Sequence, residues 1–425
     1  MLRAALWAYE RLGGVAREDY HEVWSREQLA EREPLIERSQ LNGAVVYPEF
    51  LTDDARLTVA TVRSAIDHGA VVSTYLRAVN IRREGDFVVS AVSTLPGDQS
   101  EATIKARAVI NAAGPWVDQV CGLEGDQPAR LALSRGVHLV FDHADLPVRN
   151  TVVMRTHDAR RIFAVPLGQY TYIGTTDDYH PKFEYWPPVT EQDIEYLLSS
   201  TRRVMPDAKL SADRIVSVWS GIRPLVGDGS GRASKELSRK DEVWTSSSGM
   251  LSVGDGKLSA YRAMAERIVD TLIKNHAFTA RPCATGEVPL PGGESTTLAA
   301  SLEGMDRVQA ERLARLYGTE APALARVALE TGLVPAEARH AVLYEGAQRL
   351  EDYWARRSSR AWFDEAAGLS ILVEAAEEMA GLLGWDDARK KAEISNCQDI
   401  DRDSREGFIT HTNQLGGAGD ARAAG

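Results

Sequence analysis

One proline- and glycine-rich run divides the sequence into two parts with different secondary-structure patterns. The run is PCATGEVPLPGG, from Pro282 to Gly293, and its composition interrupts any regular element. Strand patterns dominate before it, whereas the pattern after it is helical and poor in strands. We therefore predict a mixed α/β (α+β) domain over residues 1–290 and an all-α domain over 291–395. Residues 396–425 end in NQLGGAGDARAAG and are expected to form a disordered tail, because such a segment buries too little apolar surface.

The first part alternates strands with a few helices. A helix capped by Asp53 or Asp54 is expected to end before Gly69, and another begins near Thr190. A long amphipathic helix is expected to follow the last strand, from Lys257 to about residue 276. The predicted strands are AVVSTYL (70–76), FVVSAVS (87–93), TIKARAVINAAG (103–114), GVHLVF (136–141), RIFAVPL (161–167), YTYIGTT (170–176), IVSVWSG (215–221), EVWTSS (242–247) and MLSVG (250–254).

The charge balance constrains the ligands of the protein. Lys and Arg together number 49 against 61 Asp and Glu, which gives a formal net charge of −12. A nucleic-acid-binding protein would carry a basic excess, so we predict no nucleic-acid partner. Any anionic ligand must therefore be held by a local cluster of Arg and Lys. The three cysteines, Cys121, Cys283 and Cys397, show no C-x-x-C or metal-ligand spacing, which predicts a reduced, cytoplasmic protein without a metal site.

The beginning of the sequence does not have the pattern of a targeting segment. In MLRAALWAYERLGG the apolar stretch is interrupted by Glu10 and Arg11, too early for a signal-peptide core. No stretch approaches the roughly 18 apolar residues that span a bilayer. The sequence therefore predicts no membrane-spanning helix and leaves attachment to a membrane surface open.

Three glycine-rich segments were compared with nucleotide-binding loops. GDGSGR, residues 227–232, follows no apolar strand directly and is better explained as a surface turn. VGDGKLS, residues 253–259, fails the phosphate-loop pattern because Leu follows the lysine and the upstream glycine is missing. INAAGPWV, residues 110–117, places small residues after a strand, which suits either close approach to a ligand or a tight turn.

Four charged or titratable residues are candidates for chemistry. Lys257 stands at a strand–turn–helix junction, where a helix N-terminus favours an anion or an electron-rich ring. Arg223 lies between Gly221 and Pro224 in GIRPLVG, and Arg239 is close enough in sequence to join it around a phosphate or carboxylate. His138 alternates with apolar residues in a strand. Each also has a simpler interpretation: a solvated lysine or arginine, or a packed core histidine.

Taken together, several stretches resemble the FAD-dependent, quinone-linked glycerol-3-phosphate dehydrogenase family. The resemblance covers nearly the whole chain in the family's order, and no single stretch would establish it. It rests on DDARLTVATVRSAIDHGA (53–70), INAAGPWVDQV (110–120), SRGVHLVF (134–141), IFAVPLGQYTYIGTTD (162–177), VWSGIRPLV (218–226), SVGDGKLSAYRAMAERIVD (252–270), EGAQRLEDYWARRSSRAWFD (345–364) and AGLLGWD (380–386).

The resemblance implies a fold and a reaction. The expected fold is an N-terminally incomplete FAD- and substrate-binding domain followed by the helical domain. The expected reaction moves a hydride from C2 of glycerol 3-phosphate to FAD, yields dihydroxyacetone phosphate, and passes the electrons to membrane quinone. The same resemblance places the protein in the cytoplasm, peripheral on the inner face of the membrane, and leaves a homodimer open.

The resemblance also implies roles for individual residues. Arg223 and Arg239 match the substrate-binding arginines, and His138 matches a histidine beside the substrate that is a candidate acceptor of the hydroxyl proton. Lys257 matches a catalytic lysine beside the flavin ring and the substrate. The remaining positions that match FAD-contacting segments are Val79, Ala113, Gly114, Gly256, Leu258 and Ser259.

Departures from the family pattern keep other hypotheses open. The family begins with a strand, a G-x-G-x-x-G turn and a helix, whereas this sequence begins at a segment that resembles a later part. Asp255 stands where the family has Gly, and an acidic group there disfavours an anionic reduced flavin. Ser259-Ala260 replaces two threonines. A truncated or partner-dependent inactive homologue is one alternative, and a related FAD-dependent amine oxidase is another.

Overall fold

The computed structural model describes residues 2–125, 128–180, 183–227, 242–254, 256–294 and 302–408. In these ranges, strands lie in the first part of the chain and helices occupy the rest, as predicted. The strands are β1 Glu22–Ser25, β2 Gly43–Val46, β3 Leu76–Glu84, β4 Asp86–Ser93, β5 Glu101–Ala106, β6 Ile110–Asn111, β7 Leu131–Asp142, β8 Val152–Arg155, β9 Arg161–Leu167, β10 Tyr170–Gly174, β11 Asp178–Tyr179, β12 Ile215–Val226, β13 Glu242–Thr245 and β14 Leu251–Gly254.

The helices fall into two groups on either side of the Pro282–Gly293 run. Most of those before it lie between strands, and those after it pack on one another. Asp352–Arg357 adds a π-helical turn between α9 and α10. The helices are α1 Leu2–Leu12, α2 Arg26–Arg32, α3 Asp54–Asp67, α4 Val117–Gly122, α5 Glu191–Val204, α6 Tyr261–His276, α7 Arg307–Tyr317, α8 Ala321–Thr331, α9 Leu333–Glu345, α10 Arg360–Phe363, α11 Leu372–Leu383 and α12 Asp387–Ser404.

The largest sheet has six strands and supports the site. Its order is β11-β7-β10-β9-β8, and β12 pairs with the other side of the long strand β7. Side chains of β7 alternate between two faces: Val137, Leu139 and Phe141 are fully buried in the core against α5. The opposite face of the same strand is therefore available for a ligand.

Helix α5 is fixed behind this sheet by its own N-terminus. Thr190 and Asp193 form a reciprocal capping box, in which Asp193 Oδ2 accepts a hydrogen bond of 2.9 Å from the Thr190 backbone. The same buried carboxylate pairs with Arg135 of β7 at 2.8 Å. Sequence analysis predicted this helix start, and the contact with Arg135 adds a direct link between helix and sheet.

Two strand predictions need correction. AVVSTYL is not a strand over its length: β3 begins only at Leu76, after Tyr75 adopts a positive φ of 56° that breaks the extended backbone. The stretch from Thr103 to Gly114 forms two strands, β5 and the two-residue β6, in place of the single buried strand predicted. Strands β3 and β4 pair in antiparallel register.

The predicted tail begins too early. Helix α12 continues through residue 396 to Ser404, and Cys397 on this helix is fully buried in the helical core. Apolar packing against α11 and neighbouring helices gives this segment the buried surface that a tail lacks. Residues 409–425 lie outside the described residues.

Buried charges hold the helical part against α3 of the strand-rich part. Arg56 Nη1 lies 2.6 Å from the fully buried carboxylate of Glu345, and Arg63 lies 2.6 Å from Glu320. Burial alone would raise the pKa of Glu345, but the nearby ring of His340, 3.5 Å away, and the charge of Arg56 lower it below its usual value. The fold class predicted from the sequence is confirmed, and a cavity lies where these two parts meet. No helix in the described ranges has the length and apolar character needed to cross a membrane.

Candidate active site

Strands β7 and β12 present three aligned residue pairs on the face that points away from α5. His138 pairs with Trp219, Gly136 with Gly221, and Ser134 with Arg223 in the antiparallel register. The sequence signal is S-x-G-x-H on one strand and W-x-G-x-R on the other, because alternate residues of a strand share a face. Two of the predicted site residues, His138 and Arg223, are thereby brought to one surface.

Two features determine the position of the His138 ring: aromatic stacking, and the absence of a side chain at Gly174. It stacks on Trp219 with ring centroids 4.7 Å apart and an interplanar angle of 14°. Gly174 of β10 lies directly beneath the ring, where an added Cβ would overlap the imidazole. The Nδ1 atom is buried and has no hydrogen-bond partner among the described residues.

The electrostatic surroundings keep His138 neutral. Burial and the nearby positive charge of Arg223 lower the pKa of His138 to about 3. At neutral pH the ring therefore carries one protonated nitrogen and one lone pair, and a pKa this low makes it a weak base.

Arg223 crosses the strand surface over Gly136. Its Nη2 donates a hydrogen bond of 3.0 Å to Thr175 Oγ1, and its Nη1 lies 3.5 Å from Asp177 Oδ1. A Cβ at Gly136 would overlap the guanidinium, so only glycine at this position leaves room for the Arg223 side chain. The half-buried side chain is thus fixed on the sheet, with a positive charge facing the cavity.

His138 and Arg223 line a cavity of about 510 Å³ between the sheet and the helical part, a size typical of small-molecule sites. Most of the other residues that line the cavity were not predicted from the sequence, because they come from elements that are distant in the sequence. The missed polar and aromatic lining residues are Thr52, Asp53, Asp54, Tyr172, Trp219, Ser220, Arg315, Ser359, Trp362 and Phe363.

Asp54 and Tyr172 are among those missed groups whose pKa values are shifted. Burial and the charge of Asp53 raise the pKa of Asp54. Burial, with the charges of both carboxylates, raises the pKa of Tyr172 to about 12. The cavity therefore contains acidic as well as basic groups, and Tyr172 keeps its hydroxyl proton at neutral pH.

A second group of predicted residues meets at the carboxyl ends of two parallel strands. Strand β6 pairs in parallel with β14, so Ala113 and Gly114 after one strand lie at the same edge as the segment after the other. Gly256, Lys257, Leu258 and Ser259 make up that second segment, and the last three are exposed. Ligands of parallel sheets bind at this edge.

The backbone of this edge has glycine-specific conformations at two positions. Gly114 has a φ of +53° and nothing within 4 Å of an added Cβ, and Gly256 has a φ of +116°. Both conformations suit glycine, and the open space beside Gly114 allows a ligand to approach the backbone closely. Asn111, another residue that was not predicted from the sequence, fixes this edge. Its buried side-chain amide donates a hydrogen bond of 2.9 Å to Val117 O and one of 3.3 Å to Ser252 Oγ. A polar residue inside an apolar strand was the available signal.

The two groups adjoin, while other predicted residues lie elsewhere. Gly254 at the end of β14 packs beside Val226 at the end of β12, the strand that carries Arg223. Val79 belongs to a different sheet, where it is the extra residue of a β-bulge and 40% exposed. Arg239, Asp255 and most of GDGSGR lie outside the described residues.

Comparisons with known proteins agree with this arrangement. Residues 3–262 match the family of FAD dependent oxidoreductases, and residues 283–390 match the C-terminal domain of alpha-glycerophosphate oxidase. The chain is 33% identical over 411 residues to an aerobic glycerol-3-phosphate dehydrogenase of Staphylococcus epidermidis, covering 90% of this chain and 74% of the other. A Staphylococcus aureus protein of the same name is 32% identical over 429 residues, covering 95% of this chain and 77% of the other.

A solved structure gives the same result. The glycerol-3-phosphate dehydrogenase of Bacillus halodurans, determined with FAD bound, superposes with a TM-score of 0.77 at 30% identity, covering 90% of this chain and 79% of the other. The resemblance noted in the sequence is therefore confirmed over both parts of the chain. This chain belongs to the family of FAD-dependent oxidoreductases, and within it to the FAD-dependent glycerol-3-phosphate dehydrogenases.

Proposed function

We propose that the chain oxidises sn-glycerol 3-phosphate at C2 to dihydroxyacetone phosphate. The observation that carries this proposal is the pairing of β7 with β12, which sets a neutral His138 and a fixed Arg223 on one cavity wall. An alcohol oxidation needs an acceptor for the hydroxyl proton, and a phosphate ester needs a localised positive charge. FAD, when bound, supplies the acceptor for the hydride that leaves C2.

Arg223 is proposed to bind the phosphate group. Its planar fork suits phosphate oxygens, and its contacts with Thr175 and Asp177 hold it in a fixed orientation. The chain carries a net charge of −12, so an anion must be attracted by such a local group. The family resemblance assigns Arg239 to the same task, and this assignment remains a proposal.

His138 is proposed to take the proton of the C2 hydroxyl. The neutral ring has a lone pair for the proton, and a phosphate bound to Arg223 would offset the positive charge that lowers the pKa of His138 and so strengthen this base. Stacking on Trp219 fixes the ring plane, so the reacting nitrogen keeps one direction while the substrate is bound.

The cofactor would be held by the edge that β6 and β14 form. The residues proposed to contact it are Ala113, Gly114, Gly256, Lys257, Leu258 and Ser259, with Val79 toward the adenine end. Lys257 adds a positive charge at this edge, which favours the binding of an electron-rich ring and stabilises negative charge there.

Membrane quinone is proposed as the final electron acceptor, on the strength of the family resemblance. A quinone in the bilayer would be reached by a protein that lies on the inner face of the membrane as a peripheral protein. Exchange of electrons between the purified protein and a water-soluble quinone analogue, in the presence of glycerol 3-phosphate, tests this part.

The test of the main proposal is an anaerobic titration, in which glycerol 3-phosphate is added to the purified chain in the presence of FAD. Glycerol 3-phosphate should bleach the visible flavin absorbance and yield dihydroxyacetone phosphate, whereas glycine and proline should leave the spectrum unchanged. Arg223→Ala should weaken the response to glycerol 3-phosphate by about 10- to 100-fold in the half-saturating concentration. Arg161→Ala, which removes an exposed arginine from β9, is the matched control. Bleaching by amines alone, or a chain that binds no FAD, would refute the proposal.

A further inference from the structure

Helix α7 of the helical part supplies an arginine to the same cavity. Arg315 lines the cavity together with His138 and Arg223, although it comes from a different wall and a different part of the chain. It also lines a neighbouring cavity of about 520 Å³ between α3 and α7. The side chain is exposed, so a bound group can reach its guanidinium.

Arg315 differs from the other arginines that line these two cavities. Arg56 and Arg63 are each engaged with a carboxylate at 2.6 Å, and Arg223 contacts Thr175 and Asp177. For Arg315, no carboxylate of the described residues lies within 4 Å of its side chain, and no described group accepts a hydrogen bond from it.

The electrostatic surroundings of Arg315 favour an anion. Although Arg315 is accessible from the cavity, the surrounding protein partly desolvates its guanidinium, and this effect and the positive charge of Arg312 lower the pKa of Arg315, while Asp53 and Glu337 oppose the shift. The guanidinium is therefore a cation whose surroundings compensate its charge poorly. An incoming anion would supply the missing compensation, and the five N–H groups of the guanidinium suit phosphate oxygens.

We propose that Arg315 binds the phosphate group of the substrate and that the helical part thereby completes the substrate site. This inference rests on the proposed function, since it assigns the phosphate of glycerol 3-phosphate a second cationic contact. Arg223 holds the phosphate from the sheet, and Arg315 holds it from α7. A phosphate ester carries between one and two negative charges near neutral pH, so two arginines match its charge better than one does.

Three variants test the role of Arg315. Arg315→Ala removes the cation, Arg315→Lys keeps the charge without the planar fork, and Arg307→Ala removes an arginine from the same helix whose side chain is 89% exposed and lies outside the cavity. Steady-state kinetics with glycerol 3-phosphate gives KM and kcat for each variant. Calorimetric titration with glycerol 3-phosphate and with inorganic phosphate measures binding independently of turnover, and thermal melting shows that each variant is folded.

The expected result separates substrate binding from a structural role. Arg315→Ala should raise KM and the dissociation constants of both anions by about 10- to 100-fold, with kcat within about threefold of the original. Arg315→Lys should give intermediate values, and Arg307→Ala should match the unmodified protein. Unmodified protein that binds these anions but does not oxidise the substrate would contradict the proposed function alone. Dissociation constants of Arg315→Ala within twofold of those of the unmodified protein would overturn the role of Arg315.

Discussion

Gly136 and Gly174 determine where the two principal side chains of the cavity can lie. Neither glycine has a positive φ, so neither is required by backbone conformation. Their role is to leave space: the Arg223 guanidinium crosses Gly136, and the His138 ring rests on Gly174. A side chain at either position would compete with a functional group for the same volume.

A Gly136→Ala substitution tests this role of empty space. The new methyl group overlaps the guanidinium, so we expect Arg223 to leave its place on the sheet and the KM for glycerol 3-phosphate to rise by about tenfold or more. Gly381→Ala is the control, because it adds a methyl group to helix α11 where nothing lies within 4 Å. An unchanged KM in Gly136→Ala would show that the position of Arg223 does not matter for binding.

At the scale of elements, local strand–turn patterns made part of the site predictable from the sequence. Lys257 and the small residues at 113 and 114 were identified from strand–turn patterns that depend on local sequence alone. The alignment of His138 with Trp219 was not predictable, since register between β7 and β12 depends on pairing across more than 70 intervening residues. The start of β3 was also missed, because β-branched residues in AVVSTYL favoured a strand that the turn at Tyr75 prevents.

The short strand β6 positions one side of the edge that is proposed to hold the cofactor. It has two residues, and Asn111 ties it both to α4 and to β14 through buried hydrogen bonds. Asn111→Ala leaves the carbonyl of Val117 without this partner, so we expect the free energy of unfolding to fall by about 1–3 kcal/mol and FAD affinity to fall with it. Thermal melting and flavin fluorescence measure both. Asn80→Ala on the exposed strand β3 serves as control, and equal effects in the two variants would contradict the assignment.

At the scale of the whole molecule, the cavity exists only where the two parts of the chain meet. The Pro282–Gly293 run correctly predicted the change from strands to helices, but it carried no information on which helix faces the sheet. Arg315, Ser359 and Trp362 reach the cavity because α3 docks on the helical part through buried ion pairs. Such long-range charge pairing has no periodic signal in a single sequence, so these lining residues could not be predicted.

The Arg56–Glu345 pair provides the test of this docking. Glu345 is buried and its pKa is lowered, so its contribution to stability is present above the unfolded-state pKa of about 4.3 and is lost as the pH falls through the lower folded-state value. Glu345→Gln leaves Arg56 buried without its counter-charge, and removing one partner of a buried pair costs about 3–5 kcal/mol. We therefore expect a lower melting temperature at pH 7 and separate calorimetric transitions for the strand-rich and helical parts.

The control for this prediction removes a carboxylate whose ion pair is solvent-exposed. Glu311 pairs with Arg307 on the exposed side of α7 at 2.7 Å, and solvent-exposed pairs of this kind contribute little to stability. Glu311→Gln should therefore leave a melting profile like that of the unmodified protein. A single, unshifted transition in Glu345→Gln would mean that apolar packing alone couples the two parts. Because Arg315 lies on α7 within the coupled helical part, loss of docking in Glu345→Gln should also raise the KM for glycerol 3-phosphate.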